Sequence, residues 1–337
     1  MRRNNKSKPS IFPLLIAEVA NCHGGSKQYI EQLVAQLLKT KVDAIKFQPI
    51  IAREFMSFQH SMFKVFKSLE FSRRTWQQLG KRVKKSGKKL LFDVYGEVSL
   101  KFALEAGADI LKIHAMDFDN FDFIKTVLKH KKPLIISTGG ATIDEIDQVM
   151  KVTKGHPICL MVGFQNFPTP ATEANLDRID LLKKRFGCPI GFMDHVGNDS
   201  VFAMVLPCLA LLRGASTIEK HVYLKTRKTK YDWQSALDPK AIDDLAVLLR
   251  NTLDAKGKDK YVLSKLENNY REKYRKNAVA KRDLSKGKKV KAGDIEFLRG
   301  EFSKKQTPIY RKDMPGLLSK GLKRKVVAGQ TLVKEMF

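Results

Sequence analysis

The chain has only four cysteines in 337 residues, Cys22, Cys159, Cys188 and Cys208. Their spacing is neither that of a disulfide framework nor that of a zinc site, which excludes both scaffolds and makes a reducing cytosol the expected location. Long apolar runs are also missing. The nearest approach to one, residues 203–212, is too short to cross a bilayer and contains Pro207. Acidic residues are scarce, 35 Asp and Glu against 63 Lys and Arg, for a formal net charge of +28. This excess does not amount to a nucleic-acid reader: only 17 of the basic residues are arginine, the lysines run along the whole chain, and no recognised motif accompanies them. A diffuse lysine bias implies a solvated surface that steers anionic substrates. At the amino terminus, Met1-Arg2-Arg3 and the apolar residues 11–17 before Cys22 mimic a short signal peptide. Glu18 interrupts that pattern, and cleavage would delete the first strand described next.

Short apolar runs recur at residues 14–16, 44–47, 90–94, 110–113, 134–136, 158–162, 190–192 and 217–218. The segments between them, such as residues 29–39 and 143–152, carry apolar residues at three- and four-residue spacing. Eight strand-then-helix units predict an α/β fold, a TIM (β/α)8 barrel over residues 1–255. Residues 256–277 are charged and have linker character. Residues 278–337, with turn glycines and two similar stretches at 284–290 and 327–332, predict a small β-rich domain with little core of its own.

Each apolar run ends in polar residues that an ordinary buried strand would not carry. Two are histidines, in Gly191-Phe192-Met193-Asp194-His195 and Thr217-Ile218-Glu219-Lys220-His221. One helix-length segment separates them, so they end adjacent strands and can reach one metal ion at the barrel mouth. The other runs end in Glu18, Lys46 with Gln48, Asp93, Lys112 with His114, Ser137 with Thr138, and Gln165. Lysines and carboxylates repeated at the carboxyl ends of parallel strands predict a polar mouth for an anionic, oxygen-rich ligand.

These residues carry a resemblance. Ile16-Ala17-Glu18-Val19-Ala20-Asn21-Cys22-His23-Gly24-Gly25-Ser26, Ile45-Lys46-Phe47-Gln48, Ile136-Ser137-Thr138-Gly139, Phe167-Pro168-Thr169-Pro170 and Ile190-Gly191-Phe192-Met193-Asp194-His195, in that order, resemble the sialic acid synthase family. The resemblance implies condensation of phosphoenolpyruvate with an N-acetylated amino sugar, N-acetylmannosamine or a relative, to a nine-carbon 2-keto sugar acid and phosphate. It implies a divalent metal, Mn2+ or Mg2+, on His195 and His221, and catalytic roles for Glu18, Lys46 and Lys112. Gln48, Asp93, Asp117, Ser137, Gln165, Phe167, Asp232 and Arg299 are the implied substrate contacts. The terminal domain resembles the antifreeze-protein-like domain of these synthases. That implies a domain-swapped homodimer in which Arg299 reaches the partner's sugar site; no nucleic acid and no membrane partner are expected.

The departures cluster around the expected phosphoenolpyruvate site. Where the family places small hydroxyls or an Asn and a Tyr, this chain has Asp93, Ala115, Gln165, Phe167 and Met193. A carboxylate at position 93 repels a bound phosphate unless it pairs with a lysine or takes a proton. Residues 53–74 lack a counterpart to the family's loop and carry Phe55, Phe58, Phe63, Phe66 and Phe71, expected as a helix burying its aromatic side rather than as a carbohydrate platform. Two rival functions remain: an aldolase-type barrel with another donor or acceptor, and a non-catalytic anion- or polysaccharide-binding descendant.

Overall fold

The computed structural model describes residues 11–337 apart from Pro13, Phe167, Lys228, Thr229, Lys258, Asp259, Lys304, Leu318 and Ser319. It divides into two compact units, Met1–Gly257 and Lys258–Phe337.

In the first unit all eight apolar runs are strands: β1 (Leu15–Glu18), β2 (Ala44–Phe47), β3 (Lys89–Val94), β4 (Ile110–Ile113), β5 (Leu134–Ser137), β6 (Ile158–Val162), β7 (Ile190–Asp194) and β8 (Thr217–Val222). Each pairs in parallel with the next, and β8 pairs with β1, so the sheet closes into a TIM barrel. A two-residue strand, β9 (Ala236–Leu237), adds beside the end of β8.

The intervening helices form for local reasons. Lys27–Leu37 is capped by Ser26, whose Oγ accepts from the Tyr29 amide, and it buries Tyr29, Ile30, Leu33, Val34 and Leu37 along one face. Ile143–Val152 opens with a Thr142/Glu145 capping box. Asp177–Phe186 stops at Gly187 in the left-handed region.

Alternation along the strands sends side chains two ways. Those facing out, including Ala17, Ile45, Phe92, Leu111, Ile136, Leu160, Phe192 and Ile218, join the helices in the main core. Those facing in form a smaller plug from Ile16, Ala44, Leu91, Ile110, Ile135, Cys159, Met161 and Met193, joined by Phe12 from the segment before β1. One step further along the same inward face come Glu18, Lys46, Asp93, Lys112, Ser137 and Glu219, all buried. The apolar plug is therefore the floor of a charged layer.

Trp76, 1% exposed, anchors the helix Arg73–Lys85 with its ring 5.7 Å from Phe47, 5.5 Å from Phe71 and 6.1 Å from Phe92. Truncating it leaves a cavity that three aromatic neighbours cannot collapse into. Trp76→Ala is expected to cost about 3–5 kcal/mol, read from urea unfolding; a loss under about 1 kcal/mol contradicts this packing.

In the second unit, β10 (Asn277–Ala280) and β11 (Ile295–Leu298) pair antiparallel. The start of the first stretch meets the residue just before the second, because the Leu284 and Val326 amides donate to each other's carbonyls at 2.8 and 2.9 Å. Leu284, Val290, Ile309, Leu322, Val326, Leu332 and Met336 belong to the small core. The stretch of linker character contains a helix, Lys265–Tyr274, opened by a Ser264/Glu267 capping box and burying none of its residues.

Candidate active site at the barrel mouth

The charged layer centres on Lys46, which is fully buried. Its Nζ donates to both oxygens of Asp93 at 3.2 and 3.1 Å and lies 2.5 Å from Glu18 Oε2 and 2.8 Å from Glu219 Oε2. Four carboxylate oxygens surround three ammonium protons. Glu18 Oε2 and Glu219 Oε2 accordingly have close ion-pair contacts but no donor in hydrogen-bond geometry. Glu219 bridges to Lys112, whose Nζ donates to its Oε1 at 2.6 Å.

Burial pulls Lys46 down to about 8, against the attraction of Asp93 and Glu219. Burial also acts on Lys112, but Glu219 and Asp93 outweigh it and hold its ammonium above the usual lysine range. Glu219 answers in kind: burial favours its neutral form, yet Lys112 and Lys46 keep its carboxyl well below the ordinary range.

Two of the sites of departure, Asp93 and Met193, fall in this layer. Asp93 is held by Lys46 and by Gln48, whose Nε2 donates to Asp93 Oδ2 at 3.3 Å. Met193 places its sulfur 4.0 Å from Lys112 Nζ and 3.6 Å from Ser137 Oγ, so a thioether fills the space between an ammonium and a hydroxyl. Ala115 opens a single 3-10 turn, Ala115–Asp117. Asp117 closes that turn, half-buried, accepting from Asn120 while burial raises its carboxyl. Phe167 lies outside the described residues.

His195 and His221 come together above the layer, with ring centroids 4.9 Å apart at an interplanar angle of 75°. Both are buried and both leave Nδ1 without a hydrogen-bond partner. Burial pulls His195 down to about 3 and His221 well below the usual histidine value, so both rings are neutral, the form that ligates metals. Two neutral imidazoles with orphaned nitrogens fit a divalent ion. Among the described residues no third His, Cys, Asp or Glu completes a metal-binding group, so the remaining positions of such an ion would be left to water and substrate oxygens.

The loops above are locked to one another. Ala20, at φ 43°, and Asp232, at φ 58°, hold the left-handed region without being glycines. The Ala20 amide donates to Glu18 Oε1 at 2.7 Å; Asp232 accepts from the Asn21 amide at 2.9 Å and from Gln165 Nε2 at 3.3 Å. Asp232 thereby ties the loops after β1, β6 and β8, and burial raises its carboxyl. Gly25, at φ +79°, has no room for a side chain, since a Cβ would sit 2.4 Å from the Ser68 carbonyl oxygen.

A cavity of about 280 Å3 opens beside His221, with Gln48, Gln165 and Asp232 at its polar edge and Phe55 and Phe66 in its wall. The aromatic segment therefore divides its roles. Phe71 is buried against Trp76, Phe58 is exposed, and Phe55 and Phe66 face the mouth. Arg299 lies in the second unit, its guanidinium over the Tyr274 ring at 5.0 Å. One partner escaped the sequence reading and one strand-end residue expected at the mouth turns away from it. Glu219 shares a strand face with His221, a signal available from i, i+2 alternation. Lys220 points the other way and pairs with Asp194 at 2.8 Å, outside the mouth.

The NeuB family model matches residues 33–261. The chain is 25% identical to the N,N'-diacetyllegionaminic acid synthase of Legionella pneumophila over 358 residues, covering 99% of this chain and 98% of that protein. It is also 25% identical to the human N-acetylneuraminate-9-phosphate synthase, over 81% of this chain and 79% of that one. Among solved structures it is similar to the N-acetylneuraminic acid (sialic acid) synthetase of Leptospira borgpetersenii, with a TM-score of 0.70 and 25% identity over 77% of this chain and 91% of that one. With more than half of its length matched by one family model, the chain belongs to the NeuB family.

Proposed function

We propose that this chain condenses phosphoenolpyruvate with the open-chain form of an N-acylated amino sugar, giving a 2-keto sugar acid and inorganic phosphate. One observation carries the reading: Lys46, Lys112, Glu18 and Glu219 share one inward layer directly beneath two converging neutral histidines. Lysines of that layer would hold the carboxylate and phosphate of the donor. A divalent metal, Mn2+ or Mg2+, held by His195 and His221 would supply Lewis-acid polarisation of the acceptor aldehyde. Carbon 3 of the enol attacks that aldehyde carbon, water adds at the resulting cationic carbon 2, and the tetrahedral intermediate breaks its carbon–oxygen bond to release phosphate. Glu18, packed against Lys46, is the carboxylate closest in role to a proton carrier for the added water. Gln48 and Asp232 edge the cavity where the sugar would lie.

The second unit is proposed as an antifreeze-protein-like lid acting across a homodimer, with Arg299 leaving Tyr274 to meet the partner's sugar. The test of the reaction is phosphate release on mixing the protein, phosphoenolpyruvate, Mn2+ and a panel of N-acylated hexosamines, with the product mass read by mass spectrometry. Stoichiometric phosphate and a keto acid heavier than the sugar by a pyruvate unit are expected. No release with any acceptor overturns the reading.

Asp93 and Met193 favour one alternative on the same frame, an aldol addition by a less charged 2-oxo acid donor whose carbon 3 joins the aldehyde with nothing expelled. Carbon–carbon bond formation without phosphate release distinguishes it.

A further inference from the structure

The cavity beside His221 is unlike the charged layer below it. Its wall on the side of residues 50–69 is apolar: Ile50, Phe55, Met62, Phe66 and Leu69 face the space. Phe55 is fixed by an edge-on contact with Phe66 at 5.3 Å and a tilted one with Tyr95, also at 5.3 Å. The polar groups of the lining come from other segments, at Asn21, Gln48, Tyr95, His114, Gln165, His221, Tyr231 and Asp232. Among the described residues no lysine or arginine lines the cavity, and its one carboxylate is Asp232. Arg227 and Lys230 line a separate cleft with His23 and Ser26.

A hexose bearing hydroxyls on every side would press some of them against the phenyl rings, where each loses its water without gaining a partner, at a cost of about 1–3 kcal/mol. A phosphorylated hexose would bring a dianion to a cavity whose described lining offers it no lysine or arginine and does carry the Asp232 carboxylate. An acyl methyl group or a deoxygenated carbon meets the same wall with a gain, since one methyl in a hydrophobic pocket discriminates by about 10- to 200-fold.

Resting on the condensation proposed above, we infer that Phe55, Met62 and Phe66 form a specificity wall selecting an unphosphorylated amino-hexose acceptor with apolar substituents, a deoxygenated terminal carbon and acyl groups, over fully hydroxylated or phosphorylated hexosamines. The polar edge reads the remaining hydroxyls; the wall reads what is missing.

The experiment compares N-acetylmannosamine, its 6-deoxy form and its 6-phosphate with the full-length protein. Binding is measured by isothermal titration without donor, and kcat/KM by phosphate release with phosphoenolpyruvate and Mn2+. The 6-deoxy sugar is expected to bind at least tenfold more tightly than N-acetylmannosamine and at least a hundredfold more tightly than the 6-phosphate, with kcat/KM in the same order. Phe66→Asn, on the half-buried side of the short helix Phe63–Ser68, should bring the 6-deoxy preference below threefold while its circular dichroism and melting curve stay those of the parent. Tighter binding of the parent sugar or the 6-phosphate, no measurable binding of any of the three, or an unchanged preference in Phe66→Asn overturns the wall. Selective binding of the 6-deoxy sugar with no phosphate released supports the wall and removes the condensation, so the two readings fail separately.

Discussion

His195→Ala and His221→Ala are each expected to abolish tight Mn2+ binding and to lower turnover by about a thousandfold, with the melting temperature nearly unchanged. The rings meet at 4.9 Å, both are buried, and each carries a nitrogen that nothing in the protein uses. An orphaned buried nitrogen costs stability unless a ligand meets it, so removing the ring removes that cost along with the contacts it makes. This is the reason for expecting a functional loss without a structural one. Losing a Lewis acid forfeits several kcal/mol of transition-state stabilisation, and about 4 kcal/mol is a thousandfold in rate. Electron paramagnetic resonance of free Mn2+ reads the affinity and phosphate release reads the rate. Both variants binding Mn2+ like the parent would end the two-histidine assignment.

The barrel was legible because parallel strands buried on both faces are near-continuous apolar runs, and all eight stood out between turn residues. Strand ends flagged the mouth for the same reason: a charge after such a run has nowhere to go but the end of the barrel. Beyond a lysine for Asp93, the reading of single strand ends could not supply pairing. Lys46 and Lys112 read as cations awaiting an anion, whereas Glu219 from β8 already bridges them. Its neighbour Lys220 read as part of the same mouth, although alternation turns it outward to Asp194. The strand β9 is two residues long and leaves no periodic trace. Phe55 and Phe66 had a helical pattern consistent with burial; only the course of the chain after β2 brings them to the cavity.

Replacing Asp93 by Asn is expected to tighten phosphoenolpyruvate binding at neutral pH by at least tenfold and to make that binding fail at a lower pH than in the parent. Counted as ions, Glu18, Asp93 and Glu219 against Lys46 and Lys112 leave the layer one negative charge in excess before any donor arrives. A donor carrying both carboxylate and phosphate must compete with Asp93 for Lys46, and in a buried layer that competition is weakly screened. Asparagine keeps the shape and a donor to neighbouring oxygens while removing the competing charge, and a tenfold gain asks only about 1.4 kcal/mol of it. The pH dependence has the opposite sign for a separate reason. Burial already pulls Lys46 down to about 8, and Asp93 is the strongest group drawing it back up. Donor binding needs the ammonium, so affinity in the parent should fall as pH rises through about 8. Without Asp93 the desolvation of Lys46 is less opposed, and the fall should begin earlier. Tighter binding at pH 6.5 together with an alkaline limb displaced to lower pH, both read by isothermal titration with phosphoenolpyruvate, is a combination that a change in packing alone does not produce. An affinity and a limb that both match the parent would mean that the donor does not meet Lys46 at all, and would favour the aldol addition with nothing expelled that Asp93 and Met193 support.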